Sequence, residues 1–428
     1  MSEGLPARAA AQAVLSDVLR KRRPLDVALE ATRALPPRDA GFARAIASET
    51  LRRFGQIESL VRDFVPKAPP PHKAGPTLEI LFAGACELLF LDVPAHAAVD
   101  AANRLAQADN KARHFKPLIN AVLRRVSREG KERAAAQDAA ILNTPDWLWL
   151  RWSDVYGEKT TRAIAEAHLA PPPVDIVLKH ADAIAPTGEP LFGNVLRLSD
   201  PGRIDELPGF TSGDWWVQDA AATLPAILLG DVRGKTVIDL CAAPGGKTMQ
   251  LAAAGAKVIA VEREPERLTR MRENLARTRL DATLIESDVR DFRPDALAPF
   301  VLLDAPCTAT GTIRRHPELP WIKSASDVTL CETAASELID AAAAMVAPGG
   351  TLVFAVCSLE AEEGPLQAEA FLARNDQFKR TPVTADDVFG MAELIGENGD
   401  LRTLPCHLSG KGGMDGFYAA RFKRSETP

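Results

Sequence analysis

The stretch TVIDLCAAPGGKT, residues 236–248, decides the fold. Apolar and β-branched residues flank Asp239, a run of small residues follows, and GKTMQLAAAG continues with helical spacing. Strand, tight loop and helix in that order open a doubly wound sheet, which takes its ligand at the carboxyl end of the first strand. Ala242, Ala243, Gly245 and Gly246 bring little or no side chain to the loop, so its backbone can approach a ligand closely.

Downstream, AKVIAVE, EPERLTRMRENLART, ATLIES, FVLLDA, SELIDAAAAMV and TLVFAVCS alternate strand and helix patterns. Strands that are apolar almost throughout predict a parallel sheet covered on both faces, hence a Rossmann-like α/β domain over 231–428. Upstream the pattern is helical. AAQAVLSDVLRK, AGFARAIASETLRRFGQIESLVRDFV, LEILFAGACELLFL and INAVLRRVSR all show 3.6-type spacing, which predicts an all-α domain over 1–135. Pro-rich PKAPPPHKAGP (66–76) and Pro94 read as joints between its helices. The main boundary falls between about 130 and 145, and 136–230 reads as a connecting helical and α+β region.

Composition narrows the function. No apolar run approaches the roughly 20 residues of a membrane span, and the start MSEGLPARAAAQAV has no signal-peptide core, which leads to the expectation of a cytoplasmic protein. The six cysteines, Cys86, Cys241, Cys307, Cys331, Cys357 and Cys406, form no CxxC pair, so neither a metal site nor a disulfide framework is expected. The net charge of -6 is uneven: residues 1–130 hold 20 basic against 14 acidic side chains. Any surface for nucleic acid is therefore local.

Two acidic strand ends bear on a cofactor. Glu262 closes AKVIAVE 23 residues after Asp239, where a carboxylate accepts hydrogen bonds from ribose hydroxyls, and Asp288 follows the next strand, in reach of an adenine amine. Either residue alone reads equally well as a helix cap or solvated turn; the two in register favour a cofactor. The spacing also suits NAD. The loop is AAPGG and not GxGxxG, with no helix N-terminus cleared for a pyrophosphate, which favours a cofactor without phosphates such as S-adenosylmethionine.

Two further strand ends, LLDAPCTATGT (302–312) and LVFAVCSLE (352–360), place Asp304, Pro306, Cys307 and Cys357 at the same edge of the sheet. Carbon 5 of cytosine is a poor nucleophile until a thiolate adds to carbon 6. Methylating it therefore needs a cysteine, an acid near N3 and a base for the carbon-5 proton. Asp304, protonated in a dry pocket, is expected to meet N3 and the exocyclic amine. The other four cysteines read as small core residues.

These motifs resemble the Sun/RsmB-type RNA cytosine-5 methyltransferases. DLCAAPGGKT, DAPCTATGT, APGGTLVFAVCSLE and GKGGMDGFYAARFKR match the family pattern in order and spacing. The resemblance implies a class I methyltransferase domain with a mostly parallel seven-stranded sheet. It makes Cys357 the residue that attacks carbon 6 and Cys307 the one that promotes product release. It also implies cofactor contacts from Cys241, Ala242, Ala243, Pro244, Gly245, Gly246 and Lys247, and from Glu262, Arg267, Asp288 and Asp304. RDAGFARAIASETLRRFGQIESLV, GACELLFLDVPAHAAVDAANRLA and FKPLINAVLRRV resemble a NusB-type RNA-binding domain. The pairing points to the RsmB subgroup, to small-subunit (16S) ribosomal RNA as partner, and to a monomer.

The sequence departs from the pattern at three places. PPPVDIVLKH stands where an Arg-x-Asn strand is frequent, Val356 where Thr often precedes the nucleophile, and Glu262 where Asp is usual. Arg52, Arg53, Arg124 and Arg125 are candidates for phosphate contacts, or else a solvated helix face. Trp147, Trp149 and Trp152 read as core more readily than as base-stacking residues. Three rival readings remain: a cytosine-5 DNA methyltransferase attacking through Cys307, a non-catalytic RNA-binding or assembly factor, and an NAD-dependent dehydrogenase.

Overall fold

The computed structural model describes residues 4–65, 67 and 69–426, so Pro66 and Ala68 of the Pro-rich joint lie outside the described residues. The chain forms two compact units. One extends to Pro171 and takes in Ile313–Ser324; the other comprises Pro172–Thr312 and the chain from Ala325 onward. Among the described residues no helix is long and apolar enough to cross a membrane.

The first unit is helical. Helix Thr77–Leu89 is its axis and is buried along nearly its whole length. Two of its buried residues are acidic, and each has a guanidinium from helix Leu5–Lys21: Arg8 pairs with Glu87 at 2.6 Å and Arg20 with Glu79 at 2.5 Å. A buried charge needs such a partner. Around the axis pack Pro37–Arg52, Phe54–Phe64, Ala95–Ala108 and Lys116–Ala136. Pro37 and Pro117 stand in first turns, where the missing N–H leaves nothing unpaired.

Helices continue past the joint expected at 130–145. Helix Asp146–His168 buries Leu148 and Trp152, Arg162 forms a bidentate pair with Asp138 at 3.0 and 3.1 Å, and Asn143 bonds the Gln56 side chain at 3.0 Å. Segment Ile313–Ser324, distant in sequence, completes this unit. Trp321 Nε1 donates to Leu51 O at 2.9 Å and stacks edge-on with Phe54, while Leu25 N–H donates to Glu318 Oε1 at 3.2 Å.

The basic candidates divide. Arg52 is buried, with Nη1 donating to the carbonyls of His168, Ala170 and Arg314, so it is neither a phosphate ligand nor a solvated residue. Arg53 lies over Phe90 and bonds Glu49, and Arg125 lies over Phe64 and bonds Glu129. Arg124 is exposed and lines a groove with Arg128, His96, Asn103 and Asn120. Trp152 is core, against His168.

The second unit opens with a small antiparallel sheet of β1 (Val174–Leu178), β2 (Glu189–Pro190), β3 (Val195–Leu198) and β4 (Trp215–Val217), in spatial order β2-β3-β1-β4. PPPVDIVLKH supplies β1. Asp175 faces Arg197 across the β1–β3 ladder, and the two form a buried bidentate pair at 2.7 Å. Arg197 Nη1 also donates to Lys411 O and Gly413 O, each at 2.7 Å, which ties the small sheet to the GKGGMDG segment.

The large sheet contains β5 (Thr236–Leu240), β6 (Lys257–Glu262), β7 (Thr283–Glu286), β8 (Ala298–Asp304), β9 (Val346–Val356), β10 (Phe378–Arg380), β11 (Leu401–Arg402) and β12 (Tyr418–Arg424). Its order is β10-β12-β9-β8-β5-β6-β7, with β11 beside β12, and β12 alone runs against the others. One face packs on helices Ala220–Ile227, Gly246–Ala253 and Pro265–Thr278, the other on Ala325–Ala344 and Pro365–Arg374. Burial on both faces is why these strands read as apolar runs.

Candidate active site

The carboxyl ends of β5, β6, β8 and β9 carry the site. Beyond β5 the chain turns through Cys241, at φ 58°, and Gly245, at φ 102°. A Cβ on Gly245 would lie 2.9 Å from Met271 Cγ, so only glycine fits. Helix Pro265–Thr278 holds the loop: Arg267 Nη2 donates to Ala243 O at 2.5 Å and Asn274 Nδ2 to Pro244 O at 3.2 Å. Asp239, fully buried, accepts from Thr248 Oγ1, and burial pushes its carboxyl up to about 7.

A cavity of about 210 Å³ opens beside this loop, with Cys241, Glu262, Arg267 and Asp288 on its polar side and Val261 and Leu338 among its apolar walls. Glu262 is 3% exposed; it accepts from the N–H groups of Arg263, Glu264 and Ala243 and pairs with Arg267 at 3.3 Å. Asp288 is held down to about 2 by hydrogen bonds from Arg290. Two carboxylates on successive strand ends between apolar walls are acceptors that fit the hydroxyls of a ribose and the amine of an adenine, and Arg267 and Arg290, which also line the cavity, are paired with those same carboxylates.

Pro306 also lines the cavity, and the next residue is Cys307. Strands β8 and β9 are neighbours in register, Asp304 opposite Ala355, which brings their following residues together. Cys307 Sγ lies 3.5 Å from Cys357 Sγ. The hydrogen bond with Cys357, then burial, and more weakly the charge of Glu363 push the Cys307 thiol well above its ordinary value.

Lys247, in the first turn of helix Gly246–Ala253, reaches Asp304, Nζ to Oδ2 2.7 Å, with the ring of Phe417 5.0 Å from its Nζ. Burial disfavours its ammonium, but the charge and hydrogen bond of Asp304 outweigh that, and Lys247 titrates above its ordinary value; it also interacts electrostatically with Cys357. The expected lone carboxyl in a dry pocket is thus corrected: Asp304 is one half of an ion pair. Of the expected cofactor residues, Cys241, Glu262, Arg267 and Asp288 share the cavity, whereas Lys247 and Asp304 stand with the thiols.

Burial pushes Cys241 up to about 12 and also raises Cys86 and Cys406, which leaves them poor nucleophiles. Several site residues escaped sequence reading: Asn274, Arg290, Thr308, Ser358, Glu363 and Phe417. Phe417 carried a signal, since it lies in the GKGGMDGF segment.

A Rossmann-like sheet in this strand order, with an acidic β6 end and a nucleoside-sized cavity, defines an S-adenosylmethionine-dependent methyltransferase. Residues 226–423 match the family described as 16S rRNA methyltransferase RsmB/F, and residues 5–128 match the NusB family. The chain belongs to the RsmB/F methyltransferase family. It is 35% identical over 438 residues to the ribosomal RNA small subunit methyltransferase B of Vibrio vulnificus, covering 96% of this chain and 98% of that one. The crystal structure of PH0851 superposes with a TM-score of 0.77 at 22% identity, covering 97% of this chain and 99% of that one. NSun6 from Pyrococcus horikoshii, solved with SFG, gives 0.55 at 18% identity, over 66% of this chain and 99% of that one. These two structures support the fold.

Proposed function

We propose that the protein methylates carbon 5 of a cytosine in small-subunit ribosomal RNA, with Cys357 as covalent nucleophile. The observation that carries this reading is a thiol pair with unlike surroundings, 3.5 Å apart beside the cofactor cavity. A buried ammonium, Lys247, acts on Cys357, while the carboxylate of Glu363 acts on Cys307. The hydrogen bond with Cys357 and burial hold the Cys307 thiol well above its ordinary value, and a thiol so raised keeps its proton and is a poor nucleophile. Cys357 is therefore the attacker and Cys307 the partner that keeps its proton. The reverse assignment, Cys307 attacking, would need a thiolate on the sulfur that is held protonated.

In this mechanism Cys357 Sγ bonds to carbon 6, and the carbon 5–carbon 6 electron pair makes carbon 5 nucleophilic. The Lys247 ammonium donates to N3, giving it a proton as the adduct forms and taking it back at release, while Asp304 accepts from the exocyclic amine. When bound, S-adenosylmethionine supplies the methyl group; Glu262 and Asp288 hold its ribose and adenine. Once carbon 5 is methylated its proton leaves to water, the double bond re-forms, and the sulfur–carbon pair returns to Cys357 as a thiolate, which the Cys307 S–H steadies as a hydrogen-bond donor while keeping its proton. RNA as substrate also assigns the exposed groove at Arg124 and Arg128 to phosphate contacts.

The test is transfer of a radiolabelled methyl group to unmodified small-subunit RNA, with bisulfite mapping of the product. Cys357→Ala is expected to abolish transfer. Transfer that survives in Cys357→Ala but is lost in Cys307→Ala would reverse the assignment, and no transfer by the wild type to naked RNA or subunits would favour a non-catalytic assembly factor.

A further inference from the structure

Behind the two thiols lies a carboxylate that takes part in no bond-making or proton-transfer step above. Glu363 is 1% exposed and stands between β9 and helix Pro365–Arg374. Its Oε1 accepts the backbone N–H of Thr308 at 2.7 Å, and its Oε2 accepts the hydroxyls of Thr308, at 2.6 Å, and Ser358. Thr308 directly follows Cys307, and Ser358 directly follows Cys357. One carboxylate thus ties together the two loops, one residue beyond each sulfur. Around it the backbone is closed as well: Glu360 N–H donates to Ser358 Oγ at 3.0 Å, Leu359 N–H to Thr310 Oγ1 at 3.0 Å, and Gly311 N–H to Cys357 O at 3.0 Å.

We infer that Glu363 is a positioning residue that fixes Cys307 against Cys357, a role that rests on reading the pair as nucleophile and partner. Three donors converge on it, one backbone N–H and two hydroxyls, and a carboxylate meets them with two oxygens that only accept. Gln has the same shape but turns an NH₂ toward at least one of those donors. A buried carboxylate with fewer partners would be strongly unfavourable; burial raises the Glu363 carboxyl above its ordinary range, and the hydrogen bonds from Ser358 and Thr308 reduce that rise. The arrangement explains why an acid with no route to substrate lies buried beside the reacting sulfurs.

The experiment uses the full chain with Glu363→Gln and, separately, Ser358→Ala, which cuts the Cys357 arm, together with the Ser358 contacts to Glu360 N–H and Thr310 Oγ1, and leaves both Thr308 hydrogen bonds to Glu363 in place. Three quantities are measured: kcat and KM for RNA and S-adenosylmethionine, the melting temperature, and the rate at which diamide joins Cys307 to Cys357. Diamide takes two hydrogens from the thiols as the disulfide forms, and peptide mass spectrometry quantifies the product. For Glu363→Gln the expected result is a kcat loss of about 10- to 100-fold, both KM values within about twofold, and disulfide capture slowed about tenfold. Ser358→Ala should move the same quantities in the same direction, and it decides the matter if Glu363→Gln does not fold. Wild-type kcat and capture rate in a folded variant, or losses that track only the unfolded fraction, would overturn the inference. Disulfide capture reads thiol geometry without reference to catalysis. Failure of the nucleophile assignment would appear instead as an active Cys357→Ala.

Discussion

Replacing Arg197 with Met leaves the Asp175 carboxylate, fully buried, without its guanidinium. The same change removes the donor to Lys411 O and Gly413 O, both at 2.7 Å. Breaking a buried pair from one side costs about 3–5 kcal/mol, because the remaining charge stays desolvated. For a unit of roughly 150–250 residues, each kcal/mol lowers the melting temperature by about 2–4 °C, so a drop of about 6–20 °C is expected. Removing both charges, with Asp175→Leu and Arg197→Met together, should recover most of that loss, since no buried ion is left; the Ala220 N–H then lacks its 3.0 Å acceptor. The effect should reach the active site, because the tethered segment leads directly to Phe417, whose ring lies 5.0 Å from Lys247 Nζ. Differential scanning calorimetry of the wild type and the single and double variants, with kcat on RNA, is the assay. Melting of Arg197→Met within about 2 °C of wild type, or a double variant less stable than the single, would refute this reasoning.

Two other outcomes follow from the same geometry. Burial raises Asp239 to about 7 from 3.8, so between about pH 4 and 7 the folded state binds more protons than the unfolded state, and stability should fall by a few kcal/mol as pH rises through that window. Asp239→Asn should flatten the slope, which scanning fluorimetry at pH 5.5 and 8 would reveal; equal slopes would remove Asp239 as the cause. A Cβ on Gly311 would lie 1.9 Å from Gly416 O, where two backbone segments touch beside the thiols. Gly311→Ala is therefore expected to fold but lose on the order of 100-fold in kcat, and wild-type turnover would contradict that close contact.

How much of this was legible in the sequence depends on whether the information was local. The β5 strand, its small loop and the acidic end of β6 could be read because each signal lies within a dozen residues and buried parallel strands are apolar throughout. Cys307 and Cys357 could be identified as strand-end residues, but their contact could not, because it depends on β8 and β9 being neighbours in the sheet. Asp304 was misjudged for a similar reason: its partner, Lys247, stands in the first turn of helix Gly246–Ala253, 57 residues earlier. Arg52 looks like a surface cation in its helix pattern, yet three carbonyls distant in sequence bury it. Glu363 gave no signal, since an acid in SLEAEEGP reads as a solvated turn until Thr308 is seen against it. Segment Ile313–Ser324 reads as part of the α/β region by position alone, and its contacts through Arg314, Glu318 and Trp321 assign it to the helical unit.

The central claim, that Cys357 forms the bond to cytosine and Cys307 releases it, is tested most directly by the residue that carries the adduct. Cys307→Ala is incubated with S-adenosylmethionine and unmodified small-subunit RNA, the denatured complex is digested with nuclease and protease, and the modified peptide is sequenced by mass spectrometry. The expected product is a protein–RNA species that survives denaturation, with a methylated cytidine on Cys357. A cytidine on any other residue, or normal turnover with no trapped species, would contradict it.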